Sequence, residues 1–256
     1  MQLALDRLQQ WCSDWQLQIN TSKCHVLHLG KNNNNYYSYY LNGFKVGVAD
    51  AVTDLGVNID RTLKYDKHIN NIVGRAYSRV GILFKGFASR SVQVLRQAYI
   101  TYVRPVLEYA SSVWSPHLIK HINAIERLQK KFTKRIPSIS HLSYPERLAA
   151  INLEPLELRR LKADLTLYYK CFHNLVALPA EIYFNESTTA SQTRTGGNRL
   201  TMPRCSTNMY QNDFFNRCIS CWNALPLTVI NASSVSCFKR LISCSDMSNF
   251  MHCSYF

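Results

Sequence analysis

Two rows of basic side chains are the groups in this sequence best suited to chemistry, and that chemistry is the binding of a polyanion. Lys67, Arg75 and Arg79, with the polar Asn71 between the first two, follow a four-residue spacing beside an apolar helical stripe. A second row lies opposite the apolar stripe of another predicted helix and comprises Arg127, Lys130, Lys131, Lys134 and Arg135. Cations in such rows can neutralise successive phosphates of a nucleic-acid backbone. For a single row, the alternative is a charged face that is only solvated.

The distribution of charge favours binding over simple solvation. The 256 residues include 30 Lys and Arg and 16 Asp and Glu, for a net charge of +14. Residues 61–170 hold 20 of the basic and 7 of the acidic residues, whereas the rest of the chain is almost neutral. So concentrated a field attracts a polyanion, first of all nucleic acid, and an anionic membrane surface is the weaker alternative.

The composition also excludes several classes of protein. No apolar run approaches the roughly 18 residues that span a bilayer, so no membrane partner is expected. No basic and then apolar leader pattern precedes the first predicted helix, which predicts a nuclear or cytoplasmic protein that is not secreted. The nine cysteines are an odd number scattered through the chain, which indicates free thiols in a reducing compartment.

Metal-ligand patterns are weak in this sequence, and no metal site is predicted. Cys218 and Cys221 suggest zinc by their spacing, but no second close pair with a histidine accompanies them. On a helix they share an apolar face with Trp222, so they are better explained as small buried residues. The chain contains neither an Asp-Asp pair nor an Asp-x-Asp triplet, and paired carboxylates are what two Mg²⁺ ions require.

The elements that would position these groups change character along the chain. Residues 1–18 have helical apolar spacing, 24–29 and 53–60 have strand patterns, and Asn42-Gly43 predicts a tight hairpin turn. This part is a fragment of an α/β layer with too few strands to be stable alone. Residues 66–176 follow as a basic helical bundle, with an N-cap at Ser91, an end or kink at Pro105 and a capping box at Ser143 and Glu146.

The predicted fold class is therefore α+β, mostly α. A Ser-, Thr-, Asn- and Gly-rich stretch predicts a linker or long loop, and a small helical element with a frayed end follows it. The predicted boundaries are 1–60 for the α/β part, 61–136 for the first bundle, 137–178 for its helical continuation, 179–212 for the linker and 213–256 for the C-terminal element.

Several motifs, taken in their order, carry a resemblance to a known family. The longest are residues 98–110, which end in Glu108-Tyr109-Ala110, and residues 125–133. The others are Trp11, Trp15, Asn20, Lys23-Cys24, Asp54-Leu55-Gly56-Val57, Val113-Trp114-Ser115-Pro116 and residues 143–148, 156–160 and 222–226. Together they resemble the end of the reverse transcriptase domain of jockey-like non-LTR (LINE-type) retrotransposons.

The resemblance implies a polymerase that copies RNA into DNA, with an RNA template and a DNA primer as partners. It makes residues 1–60 a palm remnant, 61–136 a thumb, and the remainder a helical C-terminal domain. The N-terminal palm and fingers, with the two metal-binding carboxylates, would lie upstream of this segment. Lys23 matches the motif whose lysine protonates the leaving pyrophosphate, and Asp54, Leu55, Gly56 and Val57 match the primer grip. Ordinary alternatives are a solvated turn lysine and a plain strand with a bulge.

The leading hypothesis is thus a C-terminal reverse transcriptase fragment that holds template and primer and is inactive alone. The fragment itself is expected to hold no cofactor. The resemblance implies that the complete polymerase uses Mg²⁺. Two alternatives remain open at this point. One is a stand-alone basic nucleic-acid-binding module, and the other is a non-functional transposon relic.

Overall fold

The computed structural model describes residues 1–30, 37–178, 180–184 and 199–253. The chain divides into two units, Met1–His68 and Ile69–Phe256. Helices dominate and the strands are few and short, which confirms the predicted α+β, mostly α class. Residues 31–35 are a lysine- and asparagine-rich stretch that the sequence predicts as an exposed loop tip, and they lie outside the described residues. Residues 179 and 185–198 of the predicted linker lie outside them as well.

Helix α1 (Gln2–Asp14) opens the first unit and confirms the helix predicted for 1–18, four residues shorter at its end. None of its residues is buried, and Trp11 and Trp15 are 51% and 67% exposed. Its attachment is polar: the Gln2 side chain exchanges two hydrogen bonds with the backbone of Tyr40 at 2.9 and 3.0 Å. The side chain of Gln9 accepts a third from the Asn42 N–H at 2.8 Å.

Among the described residues of this unit, the strands pair as three short two-stranded sheets. Strand β1 (His25–Leu27) runs parallel to β4 (Gly47–Ala49). Strands β2 (Tyr40–Leu41) and β3 (Phe44–Lys45) are antiparallel and form the predicted hairpin. Asn42 and Gly43 between them have φ values of 50° and 76°, the two left-handed residues that a type I′ turn needs.

The strand predicted for residues 53–60 is wrong, because the segment folds back on itself. Strand β5 (Ala51–Asp54) pairs antiparallel with β6 (Val57–Asp60), and Asp54 lies opposite Val57. Leu55 and Gly56 have φ values of 44° and 84° and make a second two-residue turn. The alternation of apolar and polar residues continues through this turn, so the pattern did not reveal it.

The second unit is helical, and most residues of its predicted apolar stripes are buried. In α2, six residues of the predicted stripe are buried, namely Ile69, Ile72, Ala76, Val80, Leu83 and Phe84. The helices of its first part are α2 (Asp66–Gly86), α3 (Val92–Ala98), α4 (Arg104–Glu108), α5 (Ser111–Trp114), α6 (Ile119–Lys134), α7 (Tyr144–Ala150) and α8 (Leu156–Phe172).

Two local predictions in these helices are confirmed. A single π-helical segment (Tyr99–Val103) joins α3 to α4 immediately before Pro105, where a break or kink was expected. Its wider turn accommodates a proline that cannot donate a backbone hydrogen bond. At the start of α7 the Ser143 N–H donates to the Glu146 carboxylate at 2.7 Å, and the reciprocal bond completes the capping box.

Two of the C-terminal helices, α11 and α13, pack on α8, and the C-terminal part encloses an aromatic core. They are α9 (Ala180–Tyr183), α10 (Asn208–Gln211), α11 (Phe214–Ala224), α12 (Leu227–Ile230) and α13 (Val235–Cys244). Tyr168 and Tyr169 of α8 lie against Trp222 of α11 and Phe238 of α13, with ring centroids 5.1 and 4.4 Å apart. Arg217 ties this group together by an ion pair with buried Asp164 at 2.9 Å.

The structure differs from the sequence-based view at two segments around this core. Leu200 lies in the predicted linker but is buried, and its backbone exchanges two hydrogen bonds with the Asn223 side chain at 2.9 and 2.8 Å. The described part of the segment predicted as frayed also packs: the His252 N–H donates to Glu157 at 2.7 Å. Both contacts are to partners far away in the sequence, which local composition does not reveal.

Candidate nucleic-acid interface

The basic row of α6 faces an aromatic edge of α2. The Lys131 ammonium lies 5.3 Å from the ring centroid of Tyr77, and the Arg135 guanidinium lies 3.9 Å from that of Phe84. Each ring holds a cation by its negative face while the charge stays at the protein surface. We call Tyr77, Phe84, Arg127, Lys131 and Arg135 the α2–α6 edge.

The sequence of α6 dictates this arrangement. Ile122, Ile125, Leu128 and Phe132 are buried on one side, at helical spacing. The cations must then occupy the other side, where Arg127, Lys131 and Arg135 are exposed at successive turns. Arg127 also affects Tyr77: burial raises the pKa of that phenol, and the positive charge of Arg127 partly opposes the rise.

The remaining two cations of this row are placed differently. Lys130 lies 5.0 Å from the ring centroid of Tyr144, at the start of α7. Lys134 is exposed in the last turn of α6, where the negative end of the helix dipole favours a cation. The five cations of the predicted row therefore extend over a wider surface than one line of phosphates.

The predicted row of α2 does not join this surface. Arg75 and Arg79 lie about 160° around the helix axis from Tyr77. The Arg79 guanidinium donates to the Tyr102 carbonyl oxygen of the π-helical segment at 2.6 Å, so this side chain supports the fold as well as carrying charge. Lys67 is exposed near the start of α2. The predicted binding residues thus lie on two different sides of α2. The cations of α6 lie at the side that carries Tyr77, and Arg75 and Arg79 lie on the opposite side.

Arg90 is a cation that the sequence-based set omits. Its guanidinium lies 5.6 Å from the ring centroid of Phe84, the ring that Arg135 also contacts, and it donates to the Phe84 carbonyl oxygen at 2.8 Å. Arg90 lies in the connection between α2 and α3, where no helical spacing of apolar and basic residues could predict it as a binding residue. Its position just beyond a helix end was the one available indication.

A buried polar network holds α6, α7 and α8 in place behind the interface. Glu126 of α6 accepts hydrogen bonds from the Tyr144 hydroxyl and, at 2.9 Å, from the Leu156 N–H. Gln129 accepts from the Tyr99 hydroxyl at 2.9 Å and donates to the Glu154 carbonyl oxygen at 3.0 Å. Burial raises the pKa of Glu126, while its hydrogen bonds from Tyr144 and Leu156 oppose the rise.

The two sites that the resemblance implies lie in the first unit. Lys23 is exposed in a short 3-10 turn (Thr21–Lys23), which the Asn20 side chain caps by accepting from the Ser22 N–H at 3.1 Å. Of the implied primer grip, Asp54 and Val57 are strand ends and Leu55 and Gly56 form the turn. Leu55 is 82% exposed, so the tip presents an apolar side chain and nearby backbone to the surroundings.

The thiols of Cys218 and Cys221 are buried among apolar groups. Cys221 donates to the sulfur of Met247 at 3.5 Å. Burial raises the pKa of the Cys221 thiol to about 12 and that of Cys218 well above its ordinary value. Throughout the described residues, no group of three or more His, Cys, Asp and Glu side chains could hold a metal ion. The described carboxylates therefore do not fit the two Mg²⁺ ions of polymerase chemistry.

Comparisons with known proteins relate about half of the chain to mobile-element polymerases. It is 30% identical over 139 residues to the RNA-directed DNA polymerase from mobile element jockey of Drosophila melanogaster. It is 26% identical over 133 residues to the probable RNA-directed DNA polymerase from transposon X-element of the same species. These matches cover 53% and 51% of this chain but only 15% of each polymerase.

A shorter relative also matches. An uncharacterised protein of Caenorhabditis elegans is 27% identical over 136 residues, which cover 52% of this chain and 67% of that protein. No protein-family model matches the chain, and no solved structure matches it. Among the described residues, no helix is long and apolar enough to cross a membrane. Over about half of its length, the chain is thus similar to RNA-directed DNA polymerases of mobile elements, and it spans a small part of their length.

Proposed function

We propose that this chain is a C-terminal fragment of a non-LTR retrotransposon reverse transcriptase, and that it holds the RNA template and DNA primer. The observation that carries the proposal is the α2–α6 edge, where cations at the end of α6 lie on aromatic rings of α2. The similarity to mobile-element polymerases supports the choice of nucleic acid over other polyanions. Residues 61–136 would then act as the thumb.

The edge has the physical properties of a backbone-binding surface. Lys131 and Arg135 are pre-positioned by their rings, so less side-chain entropy is lost when a phosphate binds. They lie one helical turn apart, about 6 Å along the axis, which is close to the spacing of phosphates along a strand. Contacts of this kind position a nucleic acid without reading its sequence.

Catalysis would require the upstream palm and fingers. In the complete polymerase, Mg²⁺ would supply Lewis-acid stabilisation of the transferring phosphoryl group, and carboxylates outside this segment would hold it. Lys23 would protonate the leaving pyrophosphate, and the turn at Leu55 and Gly56 would approach the primer end. The segment alone would hold nucleic acid without extending a primer.

Binding of an RNA–DNA hybrid by the purified chain tests this proposal. We expect sequence-independent binding whose log K falls with log salt at a slope of about −4.5, for about five phosphate contacts. Hybrids of two unrelated sequences should bind equally, as measured by fluorescence anisotropy. A flat salt response, or no binding at low salt, contradicts the proposal.

A matched pair of variants locates the surface. Arg127→Gln with Lys131→Gln removes two charges from the edge, and Lys239→Gln with Arg240→Gln removes two exposed charges from α13. The first pair should lower the affinity for the hybrid about 30-fold and reduce the salt slope by about 1.8. The second pair should leave both nearly unchanged. Equal effects of the two pairs would mean that net charge alone attracts the hybrid.

A stand-alone nucleic-acid-binding module is the second candidate, and one observation favours it. The Caenorhabditis elegans relative is itself short, since the match covers two thirds of it, and so a segment of this kind occurs in a small protein. A non-functional transposon relic is the third. The genomic sequence upstream of the Met1 codon separates them: an in-frame Tyr-x-Asp-Asp sequence favours a polymerase, whereas stop codons and frameshifts favour a relic.

A further inference from the structure

Two arginines from separate elements converge on one aromatic ring at the end of the α2–α6 edge. Arg135, just after α6, lies 3.9 Å from the ring centroid of Phe84, and Arg90, beyond the end of α2, lies 5.6 Å from it. Phe84 is buried and packs against Phe132 with centroids 5.7 Å apart, so the ring that both cations contact is fixed by the core.

No carboxylate neutralises this pair of cations within the described part of the chain. Among the described residues, Glu108, Glu154, Glu157 and Asp164 form ion pairs with other cations of the second unit, and neither Arg90 nor Arg135 belongs to one of these pairs. Two guanidinium groups near one ring repel each other, and an anion that accepts from both would remove that repulsion. Arg90 donates to a carbonyl oxygen in the last turn of α2, and Arg135 is the C-cap residue of α6. The negative end of each helix dipole therefore favours a cation at these two positions.

We propose that Arg90 and Arg135 form a clamp for a single phosphate of the nucleic-acid backbone. The proposal rests on the proposed function and adds to it a defined contact and a residue, Arg90, outside the predicted binding set. Guanidinium groups suit this task because each presents a planar fork of donors to phosphate oxygens. Phe84 holds one fork by its face, and its carbonyl oxygen holds the other at 2.8 Å.

The test is a double-mutant cycle on RNA–DNA hybrid binding by the full chain. If both arginines hold one phosphate, Arg90→Ala and Arg135→Ala should each lower affinity about tenfold and flatten the salt slope by about 0.9. The double variant should lose little more than either single one, with the same slope. Two independent contacts would instead give about a hundredfold loss and a change in slope of about 1.8.

Control variants separate a binding role from a structural one. Arg240→Ala removes one exposed charge elsewhere in the second unit and should leave affinity and slope nearly unchanged. If loss of the Phe84 contact unfolds the alanine variants, Arg90→Lys and Arg135→Lys keep the charge and lose the fork, with Arg240→Lys as their control. These lysine variants should lose affinity at least threefold while their melting temperatures stay close to that of the wild type.

Inorganic phosphate identifies the ligand. At matched ionic strength, phosphate should displace the hybrid from the wild-type chain better than chloride, and this advantage should vanish in the double variant. Variants that alter the phosphate effect but bind the hybrid normally would show a free-phosphate site and overturn the backbone assignment. The clamp is overturned if the affinity losses of the two single variants add in the double variant, or if they only equal the loss of the Arg240 control. In either case, binding of the hybrid by the wild-type chain still supports the proposed function. Failure of the wild type to bind any hybrid overturns both.

Discussion

Glu126 is a carboxylate only 1% exposed, and its environment shows how single residues fix this fold. Its carboxylate accepts hydrogen bonds from the Tyr144 hydroxyl and from the N–H of Leu156. Leu156 lies in the first turn of α8, where the helix dipole favours a negative charge. The two hydrogen bonds join three helices at one point. The sequence alone suggests a charged surface residue at this position, but in the structure Glu126 is buried and connects three helices by hydrogen bonds.

Replacement of Glu126 should expose the balance between burial and hydrogen bonding. Glu126→Ala leaves two buried donors without acceptors and should cost about 3 kcal/mol of unfolding free energy, whereas Glu126→Gln, which keeps one acceptor, should cost about 1–2 kcal/mol. Glu154→Gln alters a more exposed carboxylate paired with Lys162 and should cost under about 1 kcal/mol. Urea titrations of the three variants measure this, and equal costs would contradict the assignment.

The raised pKa of Glu126 also sets the sign of a pH effect. Its pKa is higher in the folded than in the unfolded chain, so the folded state holds its proton more tightly. The resulting stabilisation is present below the unfolded pKa and is lost as pH rises through the folded one. As the pH falls from 7 toward the ordinary pKa of a glutamate, the wild type should therefore gain unfolding free energy relative to Glu126→Gln.

The buried thiol of Cys221 gives a second titration, on the alkaline side. Its pKa of about 12 in the folded chain exceeds that of an unfolded thiol, so stability should fall as pH rises above about 9. The loss approaches about 1.4 kcal/mol per pH unit for one group. Cys221→Ala should weaken this dependence in denaturant titrations from pH 8 to 11, whereas Cys244→Ala, at an exposed position, should not. Parallel curves for both variants would refute the prediction.

Among the elements, the hairpin of β5 and β6 depends on its turn more than on its burial. Gly56 has a φ of 84°, a conformation that costs an L-residue about 1 kcal/mol. Gly47, in contrast, has an ordinary backbone conformation and open space where a Cβ would lie. The two glycines therefore form a matched pair for the same substitution.

Gly56→Ala should make the backbone amides of this hairpin exchange with solvent about fivefold faster, which corresponds to about 1 kcal/mol. Gly47→Ala should leave those rates within about twofold. Hydrogen exchange followed by mass spectrometry or NMR measures both. Equal rates in the two variants would show that the turn is not the limiting feature of the hairpin.

The elements also show what the sequence could and could not predict. Helical periodicity identified the stripes of α2 and α6, and turn chemistry identified Asn42-Gly43, because both signals are local. The turn at Leu55 escaped because leucine rarely adopts a positive φ. The division of the basic set into two edges escaped because it depends on the partner each face contacts: Tyr102 for Arg79 and Tyr77 for Lys131. The resemblance, not the spacing, led to the role proposed for Lys23.

At the scale of the whole molecule, the two units differ in how much core they possess. The first buries few apolar residues, with Leu41, Val46 and Val57 the principal ones. The second encloses Trp114, Trp222, Tyr99, Tyr168, Phe132 and Phe238 almost completely. Because buried apolar area is the main source of stability, the second unit should be the part that folds independently.

A chain that begins at Asp66 tests this. It should unfold cooperatively, with a melting temperature within about 5 °C of the full chain, and should bind the RNA–DNA hybrid within about threefold of it, since the α2–α6 edge lies in this part. Circular dichroism and anisotropy measure the two properties. A tenfold loss of affinity would assign the binding to residues of the first unit.

The aromatic core around α8 has a consequence for the order of synthesis. The ring of Tyr168 packs against that of Trp222, and the Tyr169 hydroxyl donates to the carbonyl oxygen of Ala232. Both partners are synthesised later than α8, and Ala232 follows Tyr169 by 63 residues. While a ribosome extends the chain, α8 leaves the exit tunnel with its apolar face still uncovered, and it stays so until α11 to α13 follow. A product cut off before residue 214 keeps that face exposed permanently, so premature termination yields a chain prone to aggregation and proteolysis, not a smaller working protein.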